Sequence, residues 1–448
     1  MLTIKEHIIS TLKLAYPVSI GQFGFILMGV IDSIMVGGLG AASLAAASLA
    51  NGLFILILII GIGVSYAVSP LVAIALGSNR TSECESIFQQ SLLINFILSL
   101  ILFLLTYYLS AFIKYLDEPI GVADLAISYT RILGFSILPV MLFQTYKQFI
   151  EGLSFTRPAM FITIIANIIN WFMNWILIYG KFGFPILGLN GSGWATFSSR
   201  LFMGIMIFLF VNNSKKFRKY DISLKLRKID IKIIKKILNI GLPSAFQYVF
   251  EVSAFTFAIV MVGWLGTKQL AAHQIAINLA TISYMIILGI SSAGAIRVGN
   301  ALGKQNLQEV RRAGFSAIGL GAGLMGCFGI VFIFLKNILP MIYINDSVVI
   351  SIASNLLIIA GIFQISDGIQ AVSIGVLRGL TDVKVPTVIT FIAYWVIALP
   401  IGYFLGFTLH LKVIGVWIGL LLGLIAAALL LSWRFNKKSK NLQLINCQ

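Results

Sequence analysis

Long apolar runs, separated by short polar or Gly/Pro-rich interruptions, fill almost the whole chain. A helix needs about twenty consecutive apolar residues to cross a bilayer. Runs of that length or longer fall near 11–35, 43–76, 88–113, 121–146, 159–180, 188–212, 234–264, 269–302, 313–337, 349–377, 386–407 and 412–434. They predict an all-α polytopic membrane protein of about twelve transmembrane helices. The longest polar interruption, VNNSKKFRKYDISLKLRKID, covers 211–230. It predicts three regions: an N-lobe of six helices (1–213), a basic cytoplasmic linker (214–233), and a C-lobe of six helices with a short basic tail (234–448).

The pattern repeats. Displaced by 226 residues without a gap, positions 17–77 match 243–303 at 19 of 61 places. Pro17 meets Pro243, MVGGLG (35–40) meets MVGWLG (261–266), Gly63 meets Gly289, and ALG (75–77) meets ALG (301–303). Weaker echoes link EGLSFTRP (151–158) with RGLTDVKVP (378–386). Because the displacement spans six helices, an even number, both copies enter the membrane in the same direction. Such parallel repeats predict two pseudo-symmetric six-helix bundles around a V-shaped central cleft, with transport by rocking of the bundles. Pro17 and Pro243 lack the amide hydrogen of a helix interior and are expected to bend the first and seventh helices.

Composition excludes most other classes. Charged residues make up 10% of the 448, against about 25% in soluble domains. The formal net charge of +17 invites a nucleic-acid reading. The positions argue otherwise: with the N-terminus inside, 25 of the 32 Lys and Arg residues fall in inner segments and five in outer ones. That is the positive-inside pattern, and it places both termini in the cytoplasm. Only Arg131 and Arg200 remain within spans. The opening residues run straight into a full-length span without a small-residue cleavage site. Cys84, Cys327 and Cys447 lack metal or disulfide spacing. No GxxxxGK[ST] loop is present, which leaves an ion gradient as the energy source.

Asp32, Glu251 and Asp367 lie well inside predicted spans. A carboxylate there costs roughly 3 kcal/mol on insertion scales and marks an ion or substrate path. Asp32 aligns by the repeat with Ala258, two turns beyond Glu251, so the two acids share a face of equivalent helices at different depths. Gln364 and Gln370 flank Asp367 at i−3 and i+3. Asn167, Asn170 and Asn174 share one face of the fifth helix; Asn170 and Asn174, with Thr196 on the sixth, are candidate partners of Asp32. Such asparagines also serve simply as interhelical hydrogen bonds. His273, at the start of the eighth helix, reads as a packing or interface residue rather than a ligand.

In joint order and spacing, these features resemble the multidrug and toxic compound extrusion (MATE) family. The residues that carry the likeness are the Pro17–Asp32 spacing, MVGxLG followed by LAA in both halves, AAHQIA, IRVGNALG (296–303), Glu251, Asp367 and VLRGLTDVKVPT (376–387). The acids of helices 7 and 10 resemble the bacterial NorM-type branch. The likeness covers nearly the whole chain. It implies an antiporter of the cytoplasmic (inner) membrane that expels cationic, amphipathic drugs in exchange for Na⁺ or H⁺, with no other cofactor and no nucleic-acid partner, working as a monomer in the bilayer. It implies a C-lobe coupling-ion site at Glu251 and Asp367, which would also hold a monovalent metal cation. It implies an N-lobe site at Asp32, Asn170, Asn174 and Thr196. The chain departs at Asn174, where another branch carries Asp; this leaves Asp32 as the sole titratable member of that site. A lipid-linked oligosaccharide flippase of related fold is the alternative, and a membrane-embedded enzyme or a passive channel would need a catalytic cluster or filter loop that the sequence lacks.

Overall fold

A computed structural model describes residues 3–115, 121–220 and 229–445, and all their regular structure is helical. Among the described residues, twelve helical spans are long and apolar enough to cross a membrane. They are α1 (Ile4–Gly37), α2 (Ala41–Gly77), α3 (Thr81–Tyr115), α4 (Val122–Gly152), α5 (Arg157–Tyr179) and α6 (Leu189–Asn213), then α7 (Ile231–Trp264), α8 (Thr267–Gly303), α9 (Leu307–Phe334), α10 (Ser347–Gly379), α11 (Lys384–Thr408) and α12 (Lys412–Leu442). Helical winding satisfies most backbone polar groups within each span, as hydrocarbon surroundings demand. All twelve expected spans are found. Several extend further than expected, notably α1 back to Ile4 and α3 back to Thr81, because polar first turns outside the apolar run continue the helix.

Prolines mark where the ladder breaks. The α2 helix is interrupted at Tyr66–Ala67, ahead of Pro70, and α4 at Ser136, ahead of Pro139. In α11 the backbone winds as π-helix over Ile392–Ala398, ahead of Pro400. Each proline removes a donor that the preceding turn would have used. By contrast, α1 and α7 run unbroken through Pro17 and Pro243.

The repeat is visible in the backbone itself. Gly40 and Gly266, which close the two MVGxLG motifs, adopt φ of 109° and 110°. Only glycine takes such values without strain. Asn79 and Gln305, again 226 apart, both sit in the left-handed region at φ 56° and 57°.

Two compact units emerge, one running Ile20–Ala245 and the other combining residues up to Ser19 with those from Phe246 onward. The boundaries therefore differ from 1–213 and 234–448. Both fall two residues after a repeat-equivalent proline, Pro17 or Pro243. Of the expected linker 214–233, residues 221–228 lie outside the described residues.

In the unit holding the N-terminal segment, Ser19 Oγ donates to the carbonyl of Ile286 at 2.7 Å. Arg297 donates through Nη1 to the carbonyl of His7 (2.6 Å) and to Thr11 Oγ1 (2.7 Å), and its Nη2 meets His7 Nδ1 at 2.6 Å. In the other unit, the first part of α7 packs on α2, where Gly241 and Gly63 let the backbones approach. Lys236 also pairs with Glu83 there at 3.0 Å.

His273 is fully buried, and its Nδ1 accepts a 3.0 Å bond from Trp417 Nε1, so it packs the core as the sequence suggests.

One loop residue supports a local expectation. Asp346 caps α10, accepting from the amides of Val348 (2.8 Å) and Val349 (3.2 Å). The Val349 amide, above all, holds its carboxyl below the ordinary range. A lowered value means that the cap's support is present above the ordinary carboxylate range and fades as pH falls through the lower, folded-state value. Asp346→Ala should therefore speed hydrogen exchange at the Val348 and Val349 amides at neutral pH. Acidification should bring the wild type towards the variant.

Candidate functional site

In the unit Ile20–Ala245, four side chains separated by up to 164 residues converge. The carboxylate of Asp32, on α1, is 6% exposed. Its Oδ1 accepts from Asn174 Nδ2 at 2.6 Å and from Asn170 Nδ2 at 3.1 Å. Its Oδ2 accepts from Thr196 Oγ1 at 2.7 Å. Asn170 and Asn174 stand one turn apart on α5, which sets both amides against the same carboxylate. The i,i+3,i+7 pattern thus does bring two asparagines to Asp32. The third, Asn167, turns away and donates to its own helix at the carbonyl of Thr163, 2.8 Å.

The donors to Asp32 are all neutral, so they solvate the charge without cancelling it. Arg200, one turn after Thr196 on α6, lies within electrostatic range of Asp32. Its Nη1 donates instead to Ser136 Oγ at 2.6 Å, at the break in α4, and its guanidinium lies 5.0 Å from the ring centre of Phe54. Chemically, the pocket offers carboxylate, amide and hydroxyl oxygens, a donor set that suits a hard monovalent cation or a proton.

The unit that begins at Phe246 carries the second cluster. Glu251 on α7 and Asp367 on α10 are each 6% exposed and lie within electrostatic reach of one another. Tyr284 Oη, from α8, donates to Glu251 Oε1 at 2.9 Å. Gln370, fully buried, adjoins Glu251, and Gln364 is committed to Ser283 Oγ at 2.6 Å. Tyr394, on the π-helical stretch of α11, faces both acids. Two carboxylates in one dry pocket repel, and a bound cation or proton relieves that repulsion. Among the described residues no cluster of three or more His, Cys, Asp or Glu forms a conventional metal site. The candidate cation ligands at Glu251 and Asp367 are therefore two carboxylates with tyrosine and glutamine neighbours.

Tyr284 and Tyr394 are not legible in the sequence. Neither sits in a motif, and the repeat counterpart of Tyr284 is the apolar Leu58. Only the packing of α8 and α11 aims them at the acids. Lys147 and Glu151 are also unexpected. The loop expected after 146 is instead the last turn of α4, and both side chains are buried, 2% and 1% exposed, with Lys147 Nζ 4.0 Å from Glu151 Oε1.

Comparison with known proteins adds to this geometry. The MatE family matches residues 17–176 and 243–404, starting at Pro17 and again at Pro243, the two ends of the repeat offset. The multidrug resistance protein NorM of Photobacterium profundum is 34% identical over 98% of this chain and 95% of its own. NorM of Vibrio cholerae is 33% identical over 98% of both chains. Among solved structures, a MATE protein in the bent conformation superposes with a TM-score of 0.91 at 20% identity, over 99% of this chain and 97% of that one. A MOP superfamily transporter from Pyrococcus furiosus, for which a binding pocket of reverse polarity suggests a different function, superposes at 0.88 with 20% identity over 98% and 97%. Such similarity at 20% identity establishes a shared fold, and leaves function to the chemistry of the pockets.

Proposed function

Because the chain belongs to the MatE family, we propose that it is a multidrug efflux transporter that exchanges cationic, amphipathic drugs for Na⁺ or H⁺, rather than an enzyme. The observation that carries this reading is the trio Asp32, Glu251 and Asp367. Each is a buried acid, and the side chains that donate hydrogen bonds to Asp32 and Glu251 are neutral hydroxyls and amides, with Arg200 and Arg378 acting on those two acids through electrostatics. Such pockets select cations. They disfavour the flippase alternative, whose anionic headgroup would need basic residues there.

The exchange follows from competition. A coupling ion or proton at Glu251 and Asp367 weakens their hold on a cationic drug, the drug leaves on the outer side, and the ion is released inside. A potential of 100 mV contributes about 2.3 kcal/mol per charge moved. Asp32, with Asn170, Asn174 and Thr196, serves as the second cation or proton position. The parallel repeat supports alternating access of two halves. The Lys and Arg distribution supports cytoplasmic termini, and the bacterial NorM relatives support the inner membrane.

Drug-sensitive bacteria producing this chain should extrude ethidium several-fold faster than cells without it. Adding or withholding Na⁺ at fixed pH then distinguishes the coupling ion. No efflux from well-produced protein would overturn the reading.

A further inference from the structure

The two arginines within spans have opposite fates. Arg200 turns into its unit to meet Ser136, whereas Arg131, on α4, is half-buried and lines a cavity. It stands nine residues past Val122, the start of its helix, or about 14 Å along it at 1.5 Å per residue. A half-buried guanidinium within a span must reach the interface or find an anion.

Arg131 lines a cavity of about 750 Å³ between the ends of α3 and α4, together with Lys114, Tyr107, Tyr115, Asp124 and Phe135. Its Nε donates to Ser110 Oγ at 3.2 Å, and its guanidinium stacks over Tyr107, 4.6 Å from the ring centre. These contacts fix the plane of the fork and leave both Nη groups without a protein partner among the described residues. Lys114, in the same cavity, makes no ion pair among the described residues either. Two cations against one acid give the lining a net positive charge. The aromatic walls are those of a membrane–water interface, and apolar Phe96, Ile101 and Leu104 continue the exposed surface of α3. The connection between the helices contributes Asp117 and Glu118 to the sequence and lies outside the described residues.

From this we infer that the α3–α4 cavity binds the phosphate of an anionic phospholipid, with Arg131 and Lys114 holding its oxygens. The guanidinium fork suits two phosphate oxygens at once, and Lys114 supplies a second, movable charge. The acyl chains lie along the apolar face of α3. On the proposed orientation this is an outer-leaflet site. Nothing in it depends on the drug or on the coupling ion, so it stands or falls apart from the efflux reading.

The test is native mass spectrometry of the purified full chain, delipidated in detergent and titrated with phosphatidylglycerol or phosphatidylcholine of matched chains. The wild type should take up one phosphatidylglycerol at least tenfold more tightly than Lys114→Gln/Arg131→Gln, and should prefer it to phosphatidylcholine. Lys114→Gln alone, at an exposed and unbonded side chain, should keep the fold and weaken binding about threefold or more. Lys336→Gln, far from the cavity in sequence and in the other unit, controls for general attraction to a basic protein and should change nothing. Equal affinity for the two lipids, or equal phosphatidylglycerol binding in wild type and both cavity variants, would overturn the inference.

Discussion

Ethidium efflux should fall at least tenfold in Glu251→Gln and in Asp367→Asn, with protein level and membrane insertion unchanged. Both substitutions preserve shape and remove charge. At Glu251 the amide oxygen of Gln still accepts from Tyr284 Oη, so the packing of α7 on α8 survives. What disappears is the electrostatic attraction for a cation in a site that is 6% exposed. A tenfold loss corresponds to about 1.4 kcal/mol, a small part of what one lost charge pair is worth away from water. Asp367 is buried and makes no hydrogen bond among the described residues, so Asp367→Asn removes charge without removing a hydrogen bond. Efflux assays on matched amounts of protein decide the matter: wild-type rates in both variants would remove Glu251 and Asp367 from the mechanism and leave Asp32 to carry it.

The second large effect is on folding. At Gly289 an added Cβ would lie 2.6 Å from the carbonyl oxygen of Ala15 and 2.7 Å from the amide of Ser19. At the repeat-equivalent Gly63 it would lie 2.9 Å from the amide and from the Cβ of Ala245. Each clash involves backbone or a Cβ, neither of which can rotate aside. Overpacking of this kind costs about 1–3 kcal/mol even when neighbours can shift, against a total stability of about 5–15 kcal/mol. Gly289→Val and Gly63→Val should therefore fail to yield monodisperse protein, and the corresponding alanines should lower the melting temperature in detergent. Gly21→Ala and Gly319→Ala, where nothing stands within 4 Å, should melt like the wild type. If all four alanine variants melt alike, these helix contacts do not limit stability.

The apolar runs, the 226-residue repeat and the three intramembrane acids are local properties, and each could be read along the chain. An apolar run of about twenty residues has few alternatives to a membrane helix, so all twelve spans were legible. The repeat also foretold backbone detail, since Gly40 and Gly266 share one conformation for one reason. The asparagine face of α5 was legible too, because helical periodicity is enough to group Asn170 with Asn174.

What each face meets was decided by tertiary structure alone. Helical period shows that Asn167, Asn170 and Asn174 share a side, but not that Asn167 stops at its own backbone while the other two reach Asp32. The rotation of α8 and the π-helical stretch of α11 bring Tyr284 and Tyr394 to the acids. The same holds for Arg131 and Arg200, which have the same side chain in two spans: one lines the cavity between the ends of α3 and α4, and the other donates to Ser136. The unit boundaries after Pro17 and Pro243 follow from close contacts at Gly289 and Gly63, made between segments far apart in the chain. Sequence determined which segments cross the membrane and which charges they carry, because those depend on composition over one helix. Packing determined which charges meet, because that depends on the rotation and register of helices far apart in the chain.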